Sequence, residues 1–245
     1  MSEAEGTQPV TAALLVIGDE ILSGRTKDKN IGHIAERLTE IGVDLKQVRV
    51  VPDEEDEIVE ALNALRARFD YVFTTGGIGP THDDITADAV AKAFGVSIDV
   101  DPRARAMLLE YIPEADLNPA RLRMARIPAG ADLIANAVSK APGFRIGNVH
   151  VMAGVPRIMH AMLEAIIPTL RTGTPMLSRT VLANAKEGDI ATALAEIAHQ
   201  FPDTVIGSYP FMSDSGPNTN IVVRSRSQDR LDQVSALVEA MVARH

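Results

Sequence analysis

A chain of 245 residues, 46% apolar and 23% charged, has the composition of a soluble globular protein with material for one large or two modest domains. Its formal charge of −9 and pI of about 5.2 disfavour attraction to a polyphosphate backbone, so no nucleic-acid partner is expected. Without cysteine it has no disulfide, thiolate nucleophile or Cys-ligated metal centre, which fits a cytoplasmic location. The acidic, polar opening MSEAEGTQPVT is not a signal peptide. Nowhere do roughly 18 apolar residues run together, so no membrane partner is expected.

Residues 12–17 (AALLVI) are a continuous apolar run, the pattern of a strand buried on both faces of a parallel sheet. Gly18, Asp19, Glu20, Ile21 and Leu22 follow at its carboxyl end. Residues 30–41 are predicted helical, with Ile31, Ile34, Leu38 and Ile41 on one face and Gly42 as the stop. Residues 45–51 read as a second strand ending at Pro52-Asp53. Residues 54–69 then carry Ile58, Leu62, Leu65 and Phe69 on one helical stripe, behind an acidic first turn that suits the helix dipole.

The stretch at residues 69–95, FDYVFTTGGIGPTHDDITADAVAKAFG, is the most informative. An apolar, aromatic and β-branched strand breaks at Thr75, Gly76, Gly77, Ile78, Gly79 and Pro80, where three glycines allow close backbone approach. Residues 84–94 are predicted to be a helix, with Gly95 as its stop. A strand, a glycine loop and a helix N-terminus direct free N–H groups and the helix dipole at one spot, which suits an anion. Asp83 and Asp84 would repel a bare phosphate there, and a divalent cation bridging carboxylates and phosphate oxygens would resolve the conflict. The plainer reading is a tight turn with an acidic cap, and the loop alone does not choose. Neither the GxGxxG fingerprint nor the P-loop pattern is met.

Residues 96–147 are less regular, with a helix expected over 102–112 and Arg121, Arg123, Arg126 and Arg145 in loop-rich chain. Each arginine taken singly reads better as solvated surface than as an anion ligand. Residues 148–152 are a further strand, and Gly154, Val155 and Pro156 lead into a helix whose methionines read as core. Residues 171–175 (RTGTP) are the expected domain boundary, giving domains at 10–172 and 177–245. In the second, residues 180–183, 204–209 and 220–224 read as strands, and 189–199 and 228–244 as helices. The residues between, 208–211 and 213–218, read as a loop free to act as a lid or a dimer contact. Six Lys/Arg against eight Asp/Glu, and no Gly-x-x-Gly loop, argue against RNA binding by this unit. His82 lies within the glycine motif, while His33, His150, His160 and His199 have no mutual metal-ligand spacing.

The β-α-β-α-β-α alternation predicts a mostly parallel sheet, where ligands sit beyond the strands' carboxyl ends. Asp19, Glu20, Asp53 and the glycine loop all follow such ends and should converge on one sheet edge.

Taken together the motifs resemble a known family. Gly18-Asp19-Glu20-Ile21-Leu22, Gly24 and Asn30 match an opening G-D-E-I-L-x-G motif followed by Asn. Thr75-Gly76-Gly77-Ile78-Gly79-Pro80-Thr81-x-Asp83-Asp84-Ile85-Thr86 matches a central one, and Ala141-Pro142-Gly143 and Gly154-Val155-Pro156 match later ones. The set is similar to the molybdopterin-binding (MoaB/MogA-like) domain in the form found in CinA proteins and in eukaryotic FAD synthases. It covers about residues 10–172, and the trailing unit resembles the small second domain of CinA. The chain departs from that pattern at Ser139, Met152, Ala153 and Ile158, changes that leave the central loop intact and fall on the ligand's outer contacts. CinA proteins usually continue into a nicotinamide-mononucleotide amidohydrolase domain, and that activity is expected to be absent.

The resemblance implies an α/β fold, a three-layer mostly parallel sheet, followed by a small α+β domain. It implies a metal-dependent pyrophosphatase acting on ADP-ribose or a related dinucleotide such as FAD, or else a non-catalytic module for molybdopterin or a nucleotide. A vestigial structural module is the third reading. In the catalytic reading Asp83, Asp84 and Glu20 are catalytic. Asp19, Glu20, Asp83 and Asp84 hold the cation, taken as Mg²⁺, Mn²⁺ or Co²⁺. The ligand rests on Gly18, Asp19, Asn30, Thr75, Gly76, Gly77, Gly79, Pro80, Thr81, Gly154 and Pro156. A small-molecule nucleotide or pterin is the expected partner, and a homo-oligomer the expected assembly.

Overall fold

The computed structural model describes residues 9–213 and 216–244. They divide into two compact units, one ending at Gly173 and the other beginning at Thr174. The first unit opens with β1 (Val10–Ile17), a short α1 (Asp19–Leu22), α2 (Asn30–Glu40), β2 (Val43–Val51) and α3 (Glu55–Arg66). Next come β3 (Tyr71–Thr75), α4 (Thr86–Phe94), β4 (Ile98–Val100), α5 (Pro102–Leu109) and α6 (Pro119–Leu122). It closes with β5 (Arg126–Pro128), β6 (Asp132–Ile134), β7 (Gly143–Ile146), β8 (Val149–Met152) and α7 (Pro156–Ile166).

Six of these strands form one sheet in the order β2-β1-β3-β8-β7-β6. The first four run parallel, and β7 and β6 continue the sheet antiparallel. The β1 run is buried on both faces because its alternating residues serve two separate cores. Ala12, Leu14 and Val16 pack with Ile34 and Leu38 of α2 and Met159, Met162 and Leu163 of α7. Ala13, Leu15 and Ile17 pack with Ile58, Leu62 and Leu65 of α3, Val90 of α4 and Leu108 of α5. Helices therefore cover both faces and give three layers, as the unbroken apolar strand required. Each fully buried leucine or isoleucine contributes on the order of 1.5–3 kcal/mol by leaving water.

Register brings the strand ends level. Ile17 pairs with Val51, Val16 with Thr75, and Thr75 with Met152. The segments after β1, β2, β3 and β8 consequently emerge along one edge.

The short strands within residues 96–147 were not legible, since three or four residues are too few to show a period of two. Helix α4 begins at Thr86, two residues later than expected, because Asp84 is drawn into the preceding loop. The second unit holds β9 (Leu177–Leu182), α8 (Glu187–Gln200), β10 (Val205–Ser213), β11 (Gly216–Ser225) and α9 (Gln228–Val242). Its strands form an antiparallel sheet in the order β10-β11-β9, packed through Val181, Ile221 and Val223 on Ile190, Leu231, Val234 and Val238. Residues 208–211 and 216–218, expected as a loop, are instead paired strand: Ser208 faces Ile221 and Phe211 faces Asn218. Residues 214 and 215 lie outside the described residues. Among the described residues no helix is long and apolar enough to cross a membrane.

One buried histidine makes the fold pH-dependent. His150 on β8 is 2% exposed, its ring stacked on Phe73 at 5.2 Å and edge-on to Tyr71 at 5.8 Å. Burial, assisted by the Arg145 charge, pushes its pKa down to about 4, against a weaker opposing hydrogen bond at the Asn148 backbone. The folded state thus prefers the neutral ring, and stability falls as pH drops from the unfolded value of 6.5 towards 4. At about pH 5 the loss relative to neutral pH should be about 2 kcal/mol. In thermal melts at about pH 7 and 5, His150→Phe should lose less stability on acidification than wild type. An unchanged difference would place the pH sensitivity elsewhere.

Candidate functional site

The site begins where β3 ends. Gly76 and Gly77 have φ of 106° and 64°, in the left-handed region that side chains avoid. Space forbids a side chain as well: a Cβ on Gly76 would stand 2.1 Å from the Ile17 carbonyl oxygen, and one on Gly77 2.2 Å from Thr86 Oγ1. The loop is pinned to the start of α4, where the Thr86 hydroxyl donates to Gly76 O at 3.0 Å and Thr86 N–H donates to Gly77 O at 3.0 Å. Gly76 N–H donates to Met152 O, so that amide is unavailable to a ligand. The N–H groups of Gly77, Ile78 and Gly79 have no acceptor among the described residues. They form the open donor set.

Asp84 closes the same loop. Its Oδ2 accepts from Thr81 N–H at 2.8 Å and from the Thr81 hydroxyl at 2.6 Å, and a Cβ on Gly79 would lie 2.6 Å from it. The segment beyond is braced from a distance. Arg123 donates to Asp84 O at 3.1 Å, and Arg126 makes a two-pronged, half-buried pair with Asp88 at 2.8 and 2.6 Å. These two arginines are structural braces and not solvated surface.

Of the acids, Glu20, Asp53, Asp83 and Asp84 all border one cleft of about 610 Å³ beside the glycine loop. Asp19 borders an adjoining depression with Ser23 and Arg25, and its N–H donates to Asp53 Oδ2 at 3.0 Å. Partial burial pushes the Asp53 carboxyl above the usual range, and the charges of Asp19, Glu20 and Asp83 add to the effect. Asp83 is exposed and held below that range, first by the Thr81 hydroxyl and then by its own backbone N–H. That hydroxyl stands beside both neighbouring carboxylates, and its one proton serves one of them at a time. His82 is fully solvent-facing beside Asp83. Among the described residues, no three His, Asp or Glu side chains come close enough to cage a metal ion.

The remaining expected residues fall into two groups. Gly18, Gly76, Gly77, Gly79, Pro80, Gly154 and Pro156 line the cleft. Thr75 and Asn30 are buried and outside its lining, and Asn30 acts through the loop it holds. Asn30 Nδ2 donates to Gly154 O at 2.8 Å, and a Cβ on Gly154 would come within 3.2 Å of Gly76 Cα. Ser139 and Ile158 were expected at the ligand's outer contacts and Ala141 within a motif, whereas Met124, Asn136 and Met162 were not foreseen. Met124, Ala141, Ile158 and Met162 make an apolar surface, and Asn136 and Ser139 add polar groups. No lysine or arginine lines the cleft.

Comparison with known proteins identifies the family and the fold. Residues 13–172 match the family described as a probable molybdopterin binding domain. The chain belongs to this family. Residues 175–245 match the FAD synthase middle domain, so the small unit following the molybdopterin-binding domain is of that kind. A protein of Pyrobaculum arsenaticum is 37% identical over 81% of this chain and 79% of its own length. A CinA-like protein of Citrifermentans bemidjiense is 42% identical over 64% of this chain but only 40% of its own length. The crystal structure of CinA from Thermoplasma acidophilum superposes on this molybdopterin-binding-domain protein with a TM-score of 0.63 at 37% identity. It covers 66% of this chain and 99% of that one.

The raised Asp53 carboxyl gives a direct test of the acidic wall. A carboxyl whose folded-state pKa exceeds its unfolded value favours the fold in acid and loses that contribution as pH rises through the folded value. Asp53→Asn keeps an acceptor for Asp19 N–H and removes the charge. The variant should melt above wild type at about pH 7.5, and the gap should close towards about pH 4. A lower melting temperature at neutral pH would show that the folded state does not disfavour the charged Asp53 carboxyl.

Proposed function

We propose that the first unit hydrolyses the diphosphate link of ADP-ribose or a related dinucleotide such as FAD, with a divalent cation (Mg²⁺, Mn²⁺ or Co²⁺). Water adds at one phosphorus and the P–O–P bridge breaks, giving AMP with ribose 5-phosphate from ADP-ribose, or AMP with FMN from FAD. The observation that carries this reading is the open N–H groups of Gly77, Ile78 and Gly79 beside carboxylates Glu20, Asp53 and Asp83, in a cleft without a cationic side chain.

The donor set fits a hard cation. All the available groups are carboxylate oxygens, and such an ion is commonly held by one or two carboxylates together with substrate phosphates. Glu20, Asp53 and Asp83 are the residues that would hold it. Bound with the diphosphate, the cation would offset charge that this wall repels and polarise the phosphoryl groups. The protein's own residues do the rest. The Gly77–Gly79 amides receive phosphoryl oxygens where negative charge grows. Asp84 keeps those amides aligned by holding Thr81, and Thr86 fixes the loop to α4. The apolar wall excludes water and accepts an uncharged ring.

A second reading, a non-catalytic site for molybdopterin or a nucleotide, is favoured by one observation: no three carboxylates converge on a metal position among the described residues. One assay separates the two. ADP-ribose and FAD, each incubated with the protein and Mg²⁺, Mn²⁺ or Co²⁺, should release AMP that disappears with EDTA. Asp83→Asn with Glu20→Gln should lower turnover by at least about 100-fold while the fold persists. Folded protein that yields no AMP with any cation, yet binds these ligands, would establish the binding-only reading.

A further inference from the structure

We infer that Ser139 is a specificity residue: its hydroxyl donates a hydrogen bond to an acceptor on the edge of the ligand's uncharged heteroaromatic ring. The inference rests on reading the cleft as a dinucleotide or pterin site. It starts from a buried amide. Asn136 is 1% exposed, and its side chain is fully committed within its own loop. Nδ2 donates to Ser139 Oγ at 2.7 Å and to Ala141 O at 2.9 Å, while Oδ1 accepts from Val138 N–H at 2.9 Å and Ser139 N–H at 3.3 Å. Lys140 N–H donates to Asn136 O at 3.1 Å, completing the frame.

This frame fixes the chemistry that Ser139 presents. A hydroxyl has one proton to give, and here the oxygen already accepts from Asn136. The Ser139 proton has no acceptor among the described residues, and Ser139 lines the cleft together with Ala141, Met124, Ile158 and Met162. An oriented donor set among apolar side chains is the arrangement that fixes a bound ring's orientation. The neighbouring cation is removed from the picture: Lys140, with φ of 63°, turns its ammonium to Glu110 at 2.9 Å. What remains is a neutral donor on an apolar wall. Among apolar neighbours it matches a carbonyl oxygen or an unprotonated ring nitrogen.

The test compares ligands with and without a ring. With Mg²⁺ present, binding of FAD, ADP-ribose, a pterin and inorganic pyrophosphate would be measured by calorimetry on wild type, Ser139→Ala and Ser139→Thr. Loss of one such bond in Ser139→Ala should weaken the ring-bearing ligands about five- to tenfold and leave pyrophosphate unchanged. Ser139→Thr, which keeps the donor, should recover most of the affinity. If Ser139→Ala binds every ligand as wild type does, the inference fails and the cleft reading stands. If pyrophosphate weakens equally, Ser139 acts through loop shape and the inference also fails. If wild type binds no ring-bearing ligand, both the inference and the cleft reading fail together.

Discussion

The first unit depends on the absence of side-chain atoms where three strand ends meet. Gly76 lies so close to Ile17 O that no Cβ fits, and Gly154 approaches Gly76 Cα from the other side. Backbone from β1, β3 and β8 is thereby brought into contact at the sheet's carboxyl edge. Gly76 N–H bonds to Met152 O, Asn30 holds Gly154 O, and Thr86 holds Gly76 O. A methyl group at Gly76 would have to move a strand, because the atom it meets is main chain. The glycines are therefore not a sign of flexibility. They are what lets rigid backbone come close enough to leave a row of amides facing a cleft.

That contact also explains the division of labour among the aspartates. Asp84 and Asp83 are adjacent in sequence and alike in chemistry, yet one is folded under the loop and the other is exposed. Thr81 separates them by giving its N–H to Asp84, while its hydroxyl, bonded to Asp84, also stands beside Asp83. Further along, Asp88 is neutralised by Arg126. The result is a helix approach whose acidic groups are mostly satisfied internally. The remaining negative charge along the cleft is that of Glu20, Asp53 and Asp83.

How much of this was legible follows from the range of each interaction. Gly76 and Gly77 announce themselves because backbone conformation is a local property of the residue. The α/β layering was equally plain, since a six-residue apolar run such as AALLVI has to be covered twice. The direction of Asp84 was not legible, for its fate is set by a Thr81 turn that a cap would imitate in sequence. Arg126 was misjudged because its partner Asp88 is 38 residues away. Only the outer part of the β10–β11 hairpin was read as a loop, where Pro210 and Gly216 are turn formers, yet its register continues through Pro210, which faces Thr219. Met124 and Asn136 carry no motif, and the wall they form with Ser139 and Ile158 is assembled only by tertiary packing.

The charge arrangement is what makes the site unusual among glycine-loop anion sites. A P-loop supplies its own lysine to the phosphates. Here the nearby cations are already committed: Arg123 to the Asp84 carbonyl, Arg126 to Asp88, Lys140 to Glu110 and Arg145 to Asp132. Arg25 stands outside, in the adjoining depression beside Asp19. Three amides attract an anion, while in the same cleft partial burial, with neighbouring carboxylates adding to it, pushes Asp53 towards protonation. A phosphate group entering alone would meet both influences, the attraction of the amides and the repulsion of the carboxylates. In the proposed reading positive charge would arrive with the ligand, and ligand and cation binding would then be thermodynamically linked, each raising the affinity for the other. Such coupling would need no preassembled metal cage, which reconciles the proposed role of Glu20, Asp53 and Asp83 with the lack of three converging ligands among the described residues.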